Sequence, residues 1–328
     1  MNAIDTLLDR IKHTQESNDN LVTDVRRFLL DNLYKQDLFR KSTKSNALNK
    51  QKTTYSDLNT RDEDSFYKQQ LKHMDLIEFY ISKTNDFLLS KNLIYAYLLD
   101  EQSIKVKTLG LRLLNVYLHS STNKIFKCDY EFHENIVPII EQFFFYIPPH
   151  FNVHISYSLI KELFSTFTHA ISYEKDFKKK QDLILIVYSE NVISTMIPAL
   201  LLSKTDNIVI LNFILEKLKT EYINNNSRYF VNVRRFLNAF KPLKMYPEYL
   251  KSMNRETIKH IYDIIKVLPL YDTTHDVYKY DLIIFYVIFY KHESLEVVSK
   301  SDMEEFMSNL KNVYSDVQQD MSKILEKI

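Results

Sequence analysis

The first place to look for chemistry in this 328-residue chain is the spacing of its ten histidines and its carboxylates. His150 and His154 are four apart, which on one helix would put both imidazoles on a single face, as a transition-metal site requires. A metalloprotease helix carries Glu directly after its first His. Here Phe151 follows His150, and Pro148 and Pro149 precede it. His133-Glu134 has no second His at the matching offset. Acidic runs fall where helices are expected to begin. Asp62-Glu63-Asp64 and Glu304-Glu305 complement the positive end of a helix dipole there and need no catalytic role. Ser, His and Asp occur in no recognisable nucleophile and base order. The residues therefore point to no catalytic group, no metal site and no cofactor, and the chain is expected not to be an enzyme.

Composition narrows the classes further. One glycine, Gly110, cannot build the phosphate loops of nucleotide-binding proteins, a nucleophile elbow, or the tight turns of hairpin-rich β folds. Cys128 stands alone, which excludes a disulfide framework and a cysteine zinc site. Forty-three Lys and Arg offset forty-two Asp and Glu for a formal charge of +1, which argues against a general polyanion binder. Three basic clusters (Arg26-Arg27, Lys178-Lys179-Lys180 and Arg234-Arg235) read as solvated surface, with Lys178–Lys180 in a polar connection. They are the basis of the alternative reading, a helical nucleic-acid-binding protein. The N-terminus carries charges among its apolar residues, and the longest apolar run, Leu282 to Tyr290, falls well short of the roughly 20 residues that cross a bilayer. An intracellular protein, cytoplasmic and/or nuclear, with no membrane and no small-molecule substrate, is the expectation.

Helical periodicity recurs along the chain. Leu21, Val25, Phe28 and Leu29 form one stripe, and Tyr67, Leu71, Met74, Ile77 and Ile81 another. Val106, Leu109, Leu113 and Val116 alternate steps of three and four, with Leu111, Leu114 and Leu118 adding a second apolar face, so this helix should be sandwiched between neighbours. Ile208, Leu211, Leu215 and Leu218 behave alike. Ile258, Ile261, Tyr262, Ile265 and Leu268 give a stripe closed by Pro269. A Ser301–Glu304 capping box should open a last amphipathic helix through Met303, Phe306 and Leu310 to the C-terminus. Leu183–Tyr188 and Leu282–Tyr290 have strand-like composition, yet lack turn residues and alternation and read as buried helix. Three segments follow: an N-terminal helical hairpin (1–39), a polar basic loop (40–62) and a helical array (63–328). Proline marks suggest helix pairs repeating at about 40–47 residues. Ile104, Val106, Leu109, Leu111 and Leu114 superpose on Ile208, Ile210, Phe213, Leu215 and Leu218, an internal echo. The fold expected is all-α, an α-solenoid of degenerate HEAT-like helix pairs.

Three stretches of the middle of the chain resemble the second Tel-interacting protein family, the smallest subunit of the triple-T co-chaperone complex. Asp100, Val106, Lys107, Gly110, Leu111, Leu113 and Leu114 are similar to its pattern of Asp, a basic residue and Gly-Leu-x-Leu-Leu. Phe132–Pro149 resembles a helix ending in Ile147-Pro148-Pro149, and Arg228–Pro242 a later helix opening on Arg-Tyr. The resemblance implies a scaffold that joins the other triple-T subunits and helps mature phosphatidylinositol-kinase-related kinases with the Hsp-ninety machinery. It implies no catalytic residue. Arg228, Tyr229, Arg234 and Tyr246 are the partner-binding candidates, chosen by type, since Arg and Tyr are enriched at interface hot spots. Another HEAT-like adaptor remains an alternative, as does a helical enzyme using His150 and His154.

Overall fold

Apolar residues at three- and four-residue spacing, few helix breakers and side-chain caps at helix starts make the described residues of this chain helical almost throughout. The computed structural model describes residues 3–13, 19–33, 60–100, 103–120, 132–202, 207–220, 233–245, 253–267, 281–285, 288 and 299–313. About 90% of these are helical and none lies in a strand, so the protein is all-α across the described residues. The chain divides into two compact units, Met1–Phe143 with Ser158–Lys175, and Phe144–Tyr157 with Asp176–Ile328.

In the first unit, helices α1 (Ala3–His13) and α2 (Asp19–Phe28) pack on α3 (Thr60–Lys83), with Leu7, Leu21 and Val25 buried. Residues 40–59 of the basic segment lie outside the described residues, and Thr60–Asp62 belong to α3. Helix α4 (Phe87–Leu98) starts on Asp86, whose Oδ1 accepts from the Leu89 amide at 3.2 Å. Its other oxygen accepts from Tyr80 (2.7 Å) and Arg26 (2.9 Å), so one carboxylate ties three helices. Burial opposes the charge on Asp86, but the bonds from Tyr80 and Arg26 outweigh it and hold its pKa below the usual carboxylate range. The same burial raises Tyr80 to about 12.

Helix α5 (Ile104–His119) is the centre of this unit. Ser103 caps it, and both of its apolar faces are buried: Val106, Leu109 and Leu113 on one, Leu111, Leu114 and Leu118 on the other. Each such side chain removed from water contributes about 1.5–3 kcal/mol before entropy is charged against it. Gly110 serves close approach here, not a turn. A Cβ at this position would lie 2.8 Å from the Leu98 backbone nitrogen and 3.0 Å from the Tyr97 carbonyl carbon, so α4 and α5 touch backbone to side-chainless backbone.

Contacts between helices set their directions. From α3 to α5, Tyr67 meets Lys105, Glu78 meets Arg112, and the Ser82 carbonyl meets the Ser120 hydroxyl just past the helix end. Both numbers climb together, so α3 and α5 run parallel. Helix α4 runs the opposite way, with Leu98 beside Lys107 and Phe87 beside Tyr117. After a short helix, α6 (Val137–Glu141), comes α7 (Val153–Tyr173), which is parallel to α5 through Leu111–Thr166, Asn115–Ser165 and His119–His169.

The second unit holds a continuous helical run. Helix α8 (Phe177–Ile184) passes into a π-helical stretch (Leu185–Met196) and then α9 (Ile197–Leu202). In the π stretch Asn191, Ser194 and Thr195 donate side-chain bonds to carbonyls five residues back. Thr23, Thr108 and Thr166, on α-helical backbone, reach only four back. Proline explains the widening. Pro198 would clash with the Ser194 carbonyl in a tight helix, and a wider turn removes that clash. Pro138 follows the π turn Phe132–Ile136 in the same way. Lys178–Lys180, expected in a connection, instead form the first turn of α8, because Asp176 Oδ1 accepts from the Lys178 and Lys179 amides and caps it. Phe177–Leu202 spans 26 residues and is long and apolar enough to cross a membrane by length and composition, although 56% of its most apolar window is buried inside the protein, as in a core helix.

Helices α10 (Ile208–Lys219), α11 (Val233–Ala239), α12 (Lys241–Met245), α13 (Arg255–Val267) and α14 (Lys300–Val313) complete this unit, with 281–285 also helical. Asn212 meets Thr257 and Lys219 meets Asp263, so α10 and α13 are parallel. Tyr262 donates to the Asp302 carbonyl at 2.7 Å and Lys266 to Glu305 at 2.9 Å, which makes α14 parallel to α13. The capping box sits two residues earlier than Ser301–Glu304. The Asp302 amide donates to Ser299 Oγ and the Ser299 amide to Asp302 Oδ2, each at 3.1 Å.

Candidate functional site

Polar residues on an otherwise apolar helix mark where it meets something specific. Among the polar residues of α5, Arg112, Asn115 and His119 share one stripe; among those of α7, Glu162, Ser165 and His169 do. Both sets step by three and then four, so each forms one stripe, and because the helices are parallel the stripes meet in order. Arg112 donates to Glu78 of α3 at 2.9 Å. Burial pushes the Glu162 carboxyl above its ordinary range, with the Arg112 and Lys161 charges pulling the other way. Asn115 Nδ2 donates to Ser165 Oγ at 2.8 Å, and His169 Nδ1 lies 2.5 Å from Asn115 Oδ1. The rings of His119 and His169 are in contact, 3.7 Å between centroids, with Tyr173 edge-on to His119 at 6.5 Å.

The amide orientation fixes the chemistry. Asn115 Oδ1 only accepts, so His169 Nδ1 carries the proton and Nε2 keeps its lone pair. Ser165 faces an amide nitrogen and not an imidazole, so no base is placed to take its proton, and the triad arrangement does not form. Burial and then the neighbouring His119 lower the pKa of His169 below the usual imidazole value. This seam can bind and release protons; it has no nucleophile–base pair. Beside it, His133 Nε2 meets Glu174 Oε2 at 3.0 Å, a largely buried pair that ties the turn before α6 to the end of α7.

Comparison with protein-family models, curated proteins and solved structures finds no match to this chain.

The residues singled out in the sequence fare differently. Arg228, Tyr229 and Tyr246 lie outside the described residues; Arg234 is on α11, and its side chain lies outside them too. Its neighbour Arg235 is exposed and reaches across to the π stretch, donating to Ser189 Oγ at 3.0 Å with Glu190 at 3.9 Å. His150 and His154 do not share a helix face. His150 sits in the turn before α7, and Asn152 caps the helix by accepting from the His154 and Ile155 amides. Among the described residues no group of three or more His, Cys, Asp and Glu is placed to hold a metal ion. The seam histidines were missed because each was read singly. The signal was there in two forms: the matched three-and-four stripes, and a Thr-x-x-His pattern at Thr166–His169 that recurs at Thr257–His260.

Proposed function

We propose that the chain is a non-enzymatic, protein-binding scaffold, an α-solenoid of degenerate HEAT-like helix pairs. The observation that carries this reading is the repeated parallel register of non-adjacent helices in each unit. Residues paired from α10 to α13 are 44 and 45 apart in sequence, and those from α13 to α14 are 39 and 40 apart. Those from α3 to α5 are 34 and 38 apart. Helix–turn–helix units that scatter around a length of about 40 residues, close to the 40–47 of HEAT-type arrays, produce such spacings when their first helices stack in one direction and their second helices return, as α4 does. Such stacks expose long helix faces and inter-helix loops, which suit protein partners of extended shape.

The finer reading is that of the triple-T subunit of the second Tel-interacting type, joining the other subunits of that complex in the maturation of phosphatidylinositol-kinase-related kinases. Its support is the Asp100, Val106-Lys107 and Gly110-Leu111-x-Leu113-Leu114 pattern, which falls on the α4–α5 contact. Affinity purification from the native cell with mass spectrometry tests both levels. Co-purification of triple-T subunits or of the large kinases is the expected result; stable partners of other kinds would leave the scaffold and remove the triple-T assignment, and no stoichiometric partner at all would remove both.

A further inference from the structure

We propose that His119 and His169 form a proton-operated latch at the C-terminal end of the α5–α7 seam, closed while at most one of the two imidazoles is charged. The two rings touch at 3.7 Å between centroids, on helices that meet side by side and in the same direction. Like charges at that separation repel strongly in a partly buried site. His119 is exposed at the end of α5, whose last carbonyls favour a cation and where water can solvate one. His169 is half-buried, and its Nδ1 proton is committed to Asn115, so a second proton must enter at Nε2. That second proton can be accommodated only if the rings separate. Separation pulls on Asn115, whose amide also holds Ser165, so the disturbance reaches the next turn of both helices.

Among the described residues, no counter-charge is placed to relieve it. Along the seam, Arg112 and Glu162 lie two turns toward the other end, and Arg112 is engaged with Glu78 of α3. On α7, Tyr173 is beside His119 and Glu174 is paired with His133 from the turn before α6. On α3, Lys83 follows Ser82, whose carbonyl accepts from Ser120 at the end of α5; α4 presents Phe87 to the same end of α5, against Tyr117. Among the described residues, the charge that acts on His169 comes from His119.

The experiment is a proton NMR titration of the imidazole Cε1–H signals of the full chain from pH 8 to pH 5, with amide hydrogen exchange of the last turns of α5 and α7 followed over the same range. The expected result is two coupled steps separated by about one pH unit or more. Protection factors in these turns, which remove the intrinsic pH dependence of exchange, should fall only across the lower step. In His119→Gln, which alters an exposed side chain, the His169 step should move up, while staying below the ordinary imidazole value because burial still opposes the charge, and protection should no longer change across the imidazole range. In Asn115→Asp, a carboxylate in place of the amide should raise the His169 step by about one unit or more. A His169 step unchanged in His119→Gln would overturn the proposal, as would protection factors in these turns that stay constant through the imidazole range. Neither outcome bears on partner recovery, so the latch and the scaffold stand or fall separately.

Discussion

Two seams, one in each unit, are built on the same four-residue pattern and end differently. Thr166 on α7 and Thr257 on α13 are both fully buried and both face the parallel helix before them: Thr166, which donates to the Glu162 carbonyl, lies 3.5 Å from the Leu111 carbonyl, and Thr257 donates to Asn212 Oδ1 at 3.3 Å. Three residues on, each helix carries a histidine, His169 or His260, whose protonation burial opposes. There the likeness ends. His169 is held by Asn115 and touches His119, while both ring nitrogens of His260 are buried without a hydrogen bond among the described residues. Under the echo that maps Ile104 onto Ile208, Asn115 corresponds to Lys219. Lys219 goes to Asp263 instead, which also takes Lys259. An ammonium only donates, so it cannot receive an imidazole N–H as the Asn115 oxygen does. The residue on the facing helix, not the histidine's own pattern, decides whether the imidazole is engaged.

The echo itself can be broken most severely at its small-for-large exchange, where Gly110 corresponds to the buried Ile214. Ile214→Ala should cost about 3 kcal/mol in chemical denaturation through the cavity it leaves. If the cost is under about 1 kcal/mol, that side chain does not fill the second unit's core. Asn115→Lys imports the second seam's residue into the first; it strips His169 of its acceptor and sets an ammonium beside two imidazoles, and should destabilise by about 2 kcal/mol. A neutral result would mean that Asn115 does not hold the ring. Gly110→Ala should lose about 1–2 kcal/mol, since backbone contact at 2.8 Å outweighs the gain of about 1 kcal/mol in helix propensity. A more stable variant would show that α4 can move away.

The second seam offers the opposite sign. His260→Leu replaces an imidazole lacking hydrogen bonds with an apolar side chain and should stabilise by about 1 kcal/mol; a loss of stability would reveal that its nitrogens have a partner. The smallest effect is the pH dependence shared by both. His169 and His260 have pKa values lowered in the folded protein, so below about 6.5 the unfolded chain binds more protons and stability falls as pH falls toward the folded values. Thermal melts between pH 8 and pH 5 should show that slope, and His260→Leu should flatten it in part while His169 keeps the rest.

How much of this was legible follows from the range over which each feature is set. The stripes on α2, α5, α10 and α13 could be read directly, and Leu21, Val25, Leu113, Leu114, Leu215, Ile261 and Ile265 are buried as their spacing requires. The capping box illustrates the boundary of such reading. Ser299-x-x-Asp302 and Ser301-x-x-Glu304 both satisfy the local pattern, and the contact of Tyr262 with the Asp302 carbonyl belongs to the first choice. Lys178–Lys180 looked like a polar connection because a cap one residue before Phe177 was not weighed against three like charges. The polar stripes on α5 and α7 were each visible, but nothing local says that one faces the other.

The amino-acid order by itself determined that the chain is helical, since glycine scarcity, caps and three-and-four apolar spacing act within a turn or two of backbone. It also determined which faces of α2, α5, α10 and α13 would be covered. Tertiary structure alone decided which helices run side by side, in what register, and therefore that His119 meets His169 while His260 meets no acceptor. Pairing across 50 residues or more depends on the summed packing of many side chains, and a single offset of one turn would bring different polar groups together.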